Sequence, residues 1–141
     1  MNAEMTNSNA GELNIMDGTS APSYCSFNPS DKAGKIRLYK AMTNSDKKLS
    51  DCINSTIDVV DVFMEMVNLV NKDTGEPVAS PRIVLFDKEG TSYSCVSFGV
   101  MGALKRLFMV FGEPTWEDGI KLKVVQINSR DRKMLSLEAV L

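Results

Sequence analysis

The feature that most constrains the fold of this chain is a long apolar run, Ile53 to Val70, whose alternation changes phase once. Ile57 and Val59 share one parity. Farther along, the apolar residues take the other parity, at Val60, Val62, Met64 and Met66. Because alternate residues of a strand lie on opposite faces, the phase change indicates a β-bulge or bend in one long strand. The polar stretch 71–77 predicts the turn that ends it.

A strand hairpin, a helix and a second hairpin follow. Residues 82–86 and 91–96 flank a turn in which Gly90 supplies the left-handed conformation that short hairpin loops need. Ser97 predicts the N-cap of a helix, and Gly112 predicts its end. The apolar residues between them recur at helical spacing, at Val100, Met101, Leu104, Leu107, Phe108 and Phe111. Residues 120–124 and 134–140, joined by a polar turn at 128–132, predict the last hairpin.

The resulting order of elements, β-β-β-α-β-β, is that of the OB-fold. A single helix cannot cover both faces of five strands, so closing the sheet on itself is the economical way to bury them. We therefore predict a mainly β protein, an OB-fold-like five-stranded barrel with one helix between strands 3 and 4. A flexible N-terminal tail precedes it.

The composition of the first 34 residues predicts a domain boundary at residue 35. Residues 1–34 are rich in Asn, Ser, Gly and Ala without helical or strand period, which predicts a disordered tail. Four carboxylates against one lysine give this stretch a net charge of −3, which leaves +1 for the predicted domain, residues 35–141. The segment Lys35–Lys40 alternates and is interpreted as a strand, although the same residues are compatible with a short helix. Residues 44–48 predict a polar loop.

Composition argues against a metal site and against catalysis. The chain has no histidine and three widely separated cysteines, Cys25, Cys52 and Cys95. No metal or other cofactor is therefore expected, and no Ser-His or Cys-His pair can form. The odd number of cysteines favours a reducing compartment. No apolar run is long enough to cross a bilayer, so we expect no membrane contact and a cytoplasmic location, that of the host cell if the protein is viral.

Cationic and aromatic side chains occur together on the predicted strands and hairpin tips. This combination suits single-stranded nucleic acid, because phosphates require cations and every base offers a face on which an aromatic ring can stack. The candidate residues are Arg37, Tyr39, Arg82, Phe86, Tyr93, Lys121, Lys123, Arg130, Arg132 and Lys133. Each also has a structural interpretation, since strand aromatics are often core residues and alternating lysines often form a solvated strand face.

The length of the loop that ends at Gly90 decides whether Phe86 and Tyr93 can act together. A four-residue loop places both aromatic rings on one side of the sheet, whereas a three-residue loop places them on opposite sides. The sequence leaves both alternatives open.

Three segments carry a resemblance to a known family. The hairpin Val84–Ser94, the helix behind it and the strand Lys121–Gln126 resemble the single-stranded DNA-binding proteins of small bacteriophages with protein-primed replication. The resemblance covers about residues 50 to 141. It implies an OB-like fold, cooperative and sequence-independent coating of displaced strands, and no enzymatic activity. Tyr93 matches a tyrosine of that family, and Lys121 and Lys123 match its lysines, whereas the N-terminal tail and the segment Lys35–Met42 depart from its pattern.

Two functions follow as hypotheses. The first is a non-enzymatic single-stranded DNA-binding protein that coats and protects displaced strands during phage DNA replication, with self-association on DNA or other replication proteins as further partners. The alternative is a protein-protein interaction module of the replication or virion machinery, which the near-neutral charge of residues 35–141 favours because electrostatic binders are usually more basic.

Overall fold

The computed structural model describes residues 23–129 and 132–141. These residues form seven strands, two α-helices and one short 3₁₀ helix. In chain order the elements are β1 (Ser23–Cys25), α1 (Lys32–Thr43), β2 (Lys47–Lys48), the 3₁₀ helix (Leu49–Cys52), β3 (Thr56–Val70), β4 (Pro77–Asp87), β5 (Ser92–Val96), α2 (Phe98–Phe111), β6 (Ile120–Ser129) and β7 (Arg132–Ala139).

All seven strands belong to one curled, open sheet with the hydrogen-bonded order β2-β5-β4-β3-β6-β7. β6 and β1 pair in succession with the same edge of β3. Every pairing is antiparallel except that of β2 with β5, which is parallel. Over the described residues β5 does not pair with β7, so the sheet forms a half-barrel. The prediction of a mainly β protein is confirmed, and the OB-like character is consistent with this sheet. The predicted order β-β-β-α-β-β is present from β3 to β7, but β1, α1 and β2 precede it.

The long strand β3 contains the predicted bulge. Its register with β4 shifts between Val59, opposite Asp87, and Asp61, opposite Phe86. Val60 is therefore the extra residue, and its carbonyl accepts a hydrogen bond from the Trp116 amide at 2.9 Å. The bulge thus fixes the segment that follows α2 as well as bending the strand.

The concave face of the sheet forms the inner core together with α2. Ser97 accepts a hydrogen bond from the Val100 amide as N-cap, and Gly112, with φ of 82°, ends the helix as predicted. α2 packs against β7 and β4. The buried residues of the inner core are Leu49, Ile57, Val59, Val62, Ile83, Leu85, Tyr93, Val100, Leu104, Leu107, Trp116, Leu122, Val124 and Leu137.

The opposite face of the sheet carries a second apolar cluster, the outer core, beneath α1. Its residues are Cys25, Phe27, Leu38, Ala41, Phe63, Val84 and Phe86. The prediction that Lys35–Lys40 is a strand is wrong, because these residues lie in α1. Asp31 caps the helix by accepting a hydrogen bond from the Gly34 amide at 2.7 Å, and Leu38 and Ala41, three residues apart, are buried side by side.

The second helix explains why the prediction of five strands, one helix and a closed barrel is wrong. That prediction rested on the presence of a single helix, which cannot cover both faces of five strands, so that the sheet would have to close on itself. α1 covers the outer face at β3 and β4 and α2 covers the inner face, so this part of the sheet is buried on both sides without closing. The strands β1 and β2 come from segments that the sequence assigned to the tail and to the polar loop 44–48.

Part of the predicted N-terminal tail belongs to this fold. Ser23–Cys25 form β1, and the side chain of Phe27 is buried in the outer core. The hydroxyl of Tyr24 donates a hydrogen bond to Glu113 at 3.1 Å, just beyond the end of α2. Residues 1–22 lie outside the described residues.

The two glycines of α2 have opposite surroundings and provide a test of its packing. A Cβ atom on Gly99 would meet the carbonyl oxygen of Leu135 in β7, whereas one on Gly102 would meet open space. We expect Gly99→Ala to lower the free energy of unfolding by about 1–3 kcal/mol through overpacking. Gly102→Ala should raise it by up to about 1 kcal/mol, because alanine favours the helix. Urea denaturation of both variants measures the difference, and equal effects would contradict this contact.

Candidate nucleic-acid interface

The predicted binding residues lie in five different places. Arg37 and Phe86 meet in the outer core, and Tyr39 lies on the solvent side of α1. Arg82 contacts the end of α1, Tyr93 is buried in the inner core beside β2, and the cations of β6 and β7 form a separate set. Arg130 lies outside the described residues. The structure therefore does not gather the predicted residues into one patch.

Arg37 is held between two aromatic rings and a carboxylate. Its guanidinium carbon lies 4.6 Å from the centre of the Phe27 ring and 4.4 Å from that of Phe86. Its Nη1 atom lies 2.8 Å from Oδ2 of Asp61. The charge of Arg37 is thus compensated by groups of the protein itself, and these contacts stabilise the packing of α1 on the sheet.

The carboxylate of Asp61 contacts three side chains of this region, and it is almost wholly buried. Its Oδ1 accepts hydrogen bonds from the Ser26 hydroxyl at 2.8 Å and from the Thr115 hydroxyl at 2.5 Å. The ion pair with Arg37 occupies Oδ2. One carboxylate on β3 thus joins the segment after β1, α1 and the segment after α2.

The two predicted strand aromatics are on opposite faces of the sheet. Phe86 is opposite Ser92 and Leu85 is opposite Tyr93, with the Asp87 amide bonded to the Thr91 carbonyl across a three-residue loop. Phe86 is 2% exposed in the outer core and Tyr93 is 9% exposed in the inner core. Neither ring offers a free face to a base in this conformation.

Tyr93 makes a buried hydrogen bond. Its hydroxyl donates to Oδ2 of Asp87 at 3.0 Å. Burial, followed by the hydrogen bond to this carboxylate, raises the pKa of Tyr93 to about 12. The ammonium of Lys47, in β2, lies 5.8 Å from the centre of the Tyr93 ring.

Arg82 is also compensated internally. Its Nη1 donates to the carbonyl of Ala41 in α1 at 2.6 Å and to Oε2 of Glu65 at 3.2 Å. Arg82 therefore holds the end of α1 against β3 and β4. Tyr39, in contrast, is 69% exposed on α1 and is the one predicted aromatic whose ring is largely free.

The remaining predicted cations lie on the last hairpin. Lys121 and Lys123 are on the face of β6 opposite its buried residues Leu122 and Val124, with Lys121 next to Asp58 and Lys123 next to Glu138 across the strand pairs. Arg132 and Lys133 are exposed at the start of β7. None of these four has an ion-pair partner within the described residues.

Sequence reasoning missed two further cations, Lys47 and Lys48. Both are exposed on β2, where they are in register with Tyr93 and Ser94 of β5. A two-residue parallel strand has no local signature, and the pairing joins residues 46 positions apart. Adjacent lysines before a single leucine were the only signal, and it is equally typical of a loop.

The cysteines and acidic residues give no sign of a chemical centre. Cys25, Cys52 and Cys95 are free thiols. Burial raises the pKa of Cys25 to about 11 and that of Cys95 to about 12, so these two thiols stay protonated and unreactive near neutral pH. In the described part of the chain no three His, Cys, Asp or Glu residues cluster as metal ligands. No helix there has the length and apolar character needed to span a membrane.

Comparison with known proteins identifies one family. The family model described as "Phage Single-stranded DNA-binding protein" matches residues 17–139. The match includes β1, α1 and β2, the elements for which the sequence resemblance offered no counterpart. No curated protein and no solved structure matches the chain.

The internal position of Arg37 generates a prediction about stability. Arg37→Ala leaves the buried Asp61 without its cation, so we expect the free energy of unfolding to fall by about 3 kcal/mol. Lys123→Ala, at a cation without such a partner, should change it by less than about 0.5 kcal/mol. Urea denaturation at neutral pH measures both, and similar values for the two variants would mean that the Arg37–Asp61 pair contributes little.

Proposed function

We propose that this chain, which belongs to the family of phage single-stranded DNA-binding proteins, binds single strands without sequence preference and coats displaced strands during phage DNA replication. The observation that carries the proposal is the family match over residues 17–139. A role by binding, without catalysis, is in keeping with this family. Single-stranded DNA is accordingly the proposed partner.

The charge distribution supports binding through phosphates. Arg37 pairs with Asp61, and Arg82 pairs with Glu65. These two arginines and two acids therefore contribute little to the electrostatic potential at the protein surface. Among the predicted cations that the structure describes, Lys121, Lys123, Arg132 and Lys133 have no ion-pair partner there and remain available to phosphates. Phosphate contacts of this kind give sequence-independent affinity.

The aromatic contribution is proposed chiefly for Tyr39, because its ring is free on α1. Stacking by Phe86 or Tyr93 stays a prediction, and it would require the buried ring to become exposed on binding. A lost stacking contact would weaken binding by about 1–3 kcal/mol, whereas a lost core contact would lower stability instead.

The proposal predicts salt-dependent binding to a single strand of no particular sequence. We expect the affinity for a labelled oligo-dT, followed by fluorescence anisotropy, to fall linearly on a double-logarithmic plot as salt rises. Lys121→Ser/Lys123→Ser should reduce the steepness of that plot by about 1.4, because each lost single-strand phosphate contact contributes about 0.7. Lys105→Ser, on the exposed side of α2, is the matched control and should leave the slope unchanged.

Two outcomes would contradict the proposal. One is the absence of measurable binding at low salt. The other is binding whose affinity does not change between low and high salt, since a coat held by phosphate contacts must weaken as counterions compete.

A second candidate function is protein-protein contact, which one surface favours. The last turn of α2 exposes Met109, Val110 and Phe111 to 85%, 76% and 51%. An apolar patch of this kind is typical of an interaction surface. The occupant that we propose is a neighbouring copy of the same chain, because a coat on one strand places copies side by side.

Sedimentation equilibrium tests this candidate with and without oligo-dT. Self-association through α2 predicts that Met109→Ser/Val110→Ser lowers the apparent mass at high concentration, while Leu69→Ser, on the exposed end of β3, leaves it unchanged. A monomer at every concentration, in the presence of oligonucleotide as well, would rule this contact out.

A further inference from the structure

The open edge of the half-barrel creates a seam between β5 and β7. The cavity in this seam has a volume of about 310 Å³. Its lining residues are Lys48, Ser50, Arg82, Ser94, Cys95, Val96 and Leu135. At the α2 end the seam is closed, because the Ser97 hydroxyl donates to the Leu135 carbonyl at 3.3 Å and Gly99 lies against the same carbonyl.

A second groove continues from this seam along β2. It has a volume of about 870 Å³ and includes residues 44–48. Lys48, Ser50 and Ser94 line both spaces, so the two form one continuous path. The hydroxyls of Ser45 and Ser94 lie 2.6 Å apart and join β2 to β5 along it.

The groove along β2 offers mainly groups that contact phosphates. Its ten lining residues include two lysines, one asparagine and four serines. Lysine, serine and asparagine side chains are the usual partners of nucleic-acid phosphate oxygens. Lys47 and Lys48 are exposed, and neither has an ion-pair partner among the residues that the structure describes.

The two aspartates that line this groove, Asp46 and Asp51, differ in whether they already accept hydrogen bonds from the protein. Asp46 is already engaged, since its Oδ2 accepts hydrogen bonds from the amide of Ser92 at 2.9 Å and from its hydroxyl at 3.1 Å. Asp51 is exposed and has no such partner among the described residues, so its charge opposes a phosphate that enters the groove. A phosphate path through this groove is therefore strengthened by Lys47 and Lys48 and weakened by Asp51.

The seam itself is more apolar than the groove. Val96, 44% exposed, and Leu135 supply apolar surface there, beside the compensated guanidinium of Arg82. Apolar side chains suit the faces of unpaired bases, which a duplex keeps stacked inside. Polar groove and apolar seam thus match the two sides of a single strand.

We propose that the seam between β5 and β7 and the groove along β2 form a binding path for single-stranded DNA, with phosphates on Lys47 and Lys48 and bases turned toward Val96 and Leu135. This inference rests on the proposed function and adds residues that neither the family match nor the sequence resemblance assigns. It also gives a role to the open edge, which a closed barrel would lack.

The test compares the salt dependence of oligo-dT binding among full-length variants. Lys47→Ser/Lys48→Ser should reduce the steepness of the double-logarithmic plot by about 1.4, and Lys48→Ser alone by about 0.7. Lys48→Arg should restore the slope, because it keeps the charge. Asp51→Asn should tighten binding at low salt, and Lys105→Ser should match the unaltered chain.

The outcomes separate this inference from the proposed function. If the unaltered chain binds with the expected salt dependence but the Lys48→Ser and Asp51→Asn variants behave like it, the strand runs elsewhere and the seam inference is wrong while the function stands. If the unaltered chain does not bind, both are wrong. Urea denaturation of Lys48→Ser, an exposed position, checks that a changed slope does not come from a loss of folded protein.

Discussion

The buried carboxylate of Asp61 is the group on which the arrangement of the whole structure depends. Asp61 is 3% exposed, and a buried carboxylate is costly unless ion pairs and hydrogen bonds replace its hydration. Arg37, Ser26 and Thr115 provide that replacement from three separate segments. The bulge at Val60 places Asp61 on the outer face, so one local irregularity of β3 decides where α1 and the N-terminal segment bind.

The position of α1 has a direct effect on the edge of the sheet. Because α1 covers the outer core and Arg82 holds its end through the Ala41 carbonyl, the part of the sheet at β3 and β4 is buried on both faces without closure. The chain after α1 then passes along β5 as β2 and leaves the space toward β7 open. The contacts of Asp61 that fix α1 therefore also determine that the seam stays open.

The parts of this fold that were predictable are those determined by neighbouring residues. The phase change before Val62, the caps Ser97 and Gly112, and the hairpin at Gly90 all have local signatures, and all are present. The prediction for α1 was wrong because residues 35–40 alternate like a strand. The interactions that favour a helix involve positions outside these six residues, namely the cap at Asp31 and the partner of Arg37, Asp61. The opposite faces of Phe86 and Tyr93 depended on a single loop residue, which no pattern resolves.

The candidate site was less predictable than the fold, because residue type does not reveal which cations already form ion pairs within the protein. Arg37 and Arg82 have the composition of a phosphate site but act inside the protein, whereas Lys47 and Lys48 had the composition of a loop. This difference also bears on the near-neutral charge that favoured a protein-interaction module. A phosphate responds to the local field, and Asp61 and Glu65, each paired with an arginine, contribute little to it. A chain with a net charge near zero can therefore still present lysines without ion-pair partners along a groove, so its net charge alone does not argue against binding to DNA.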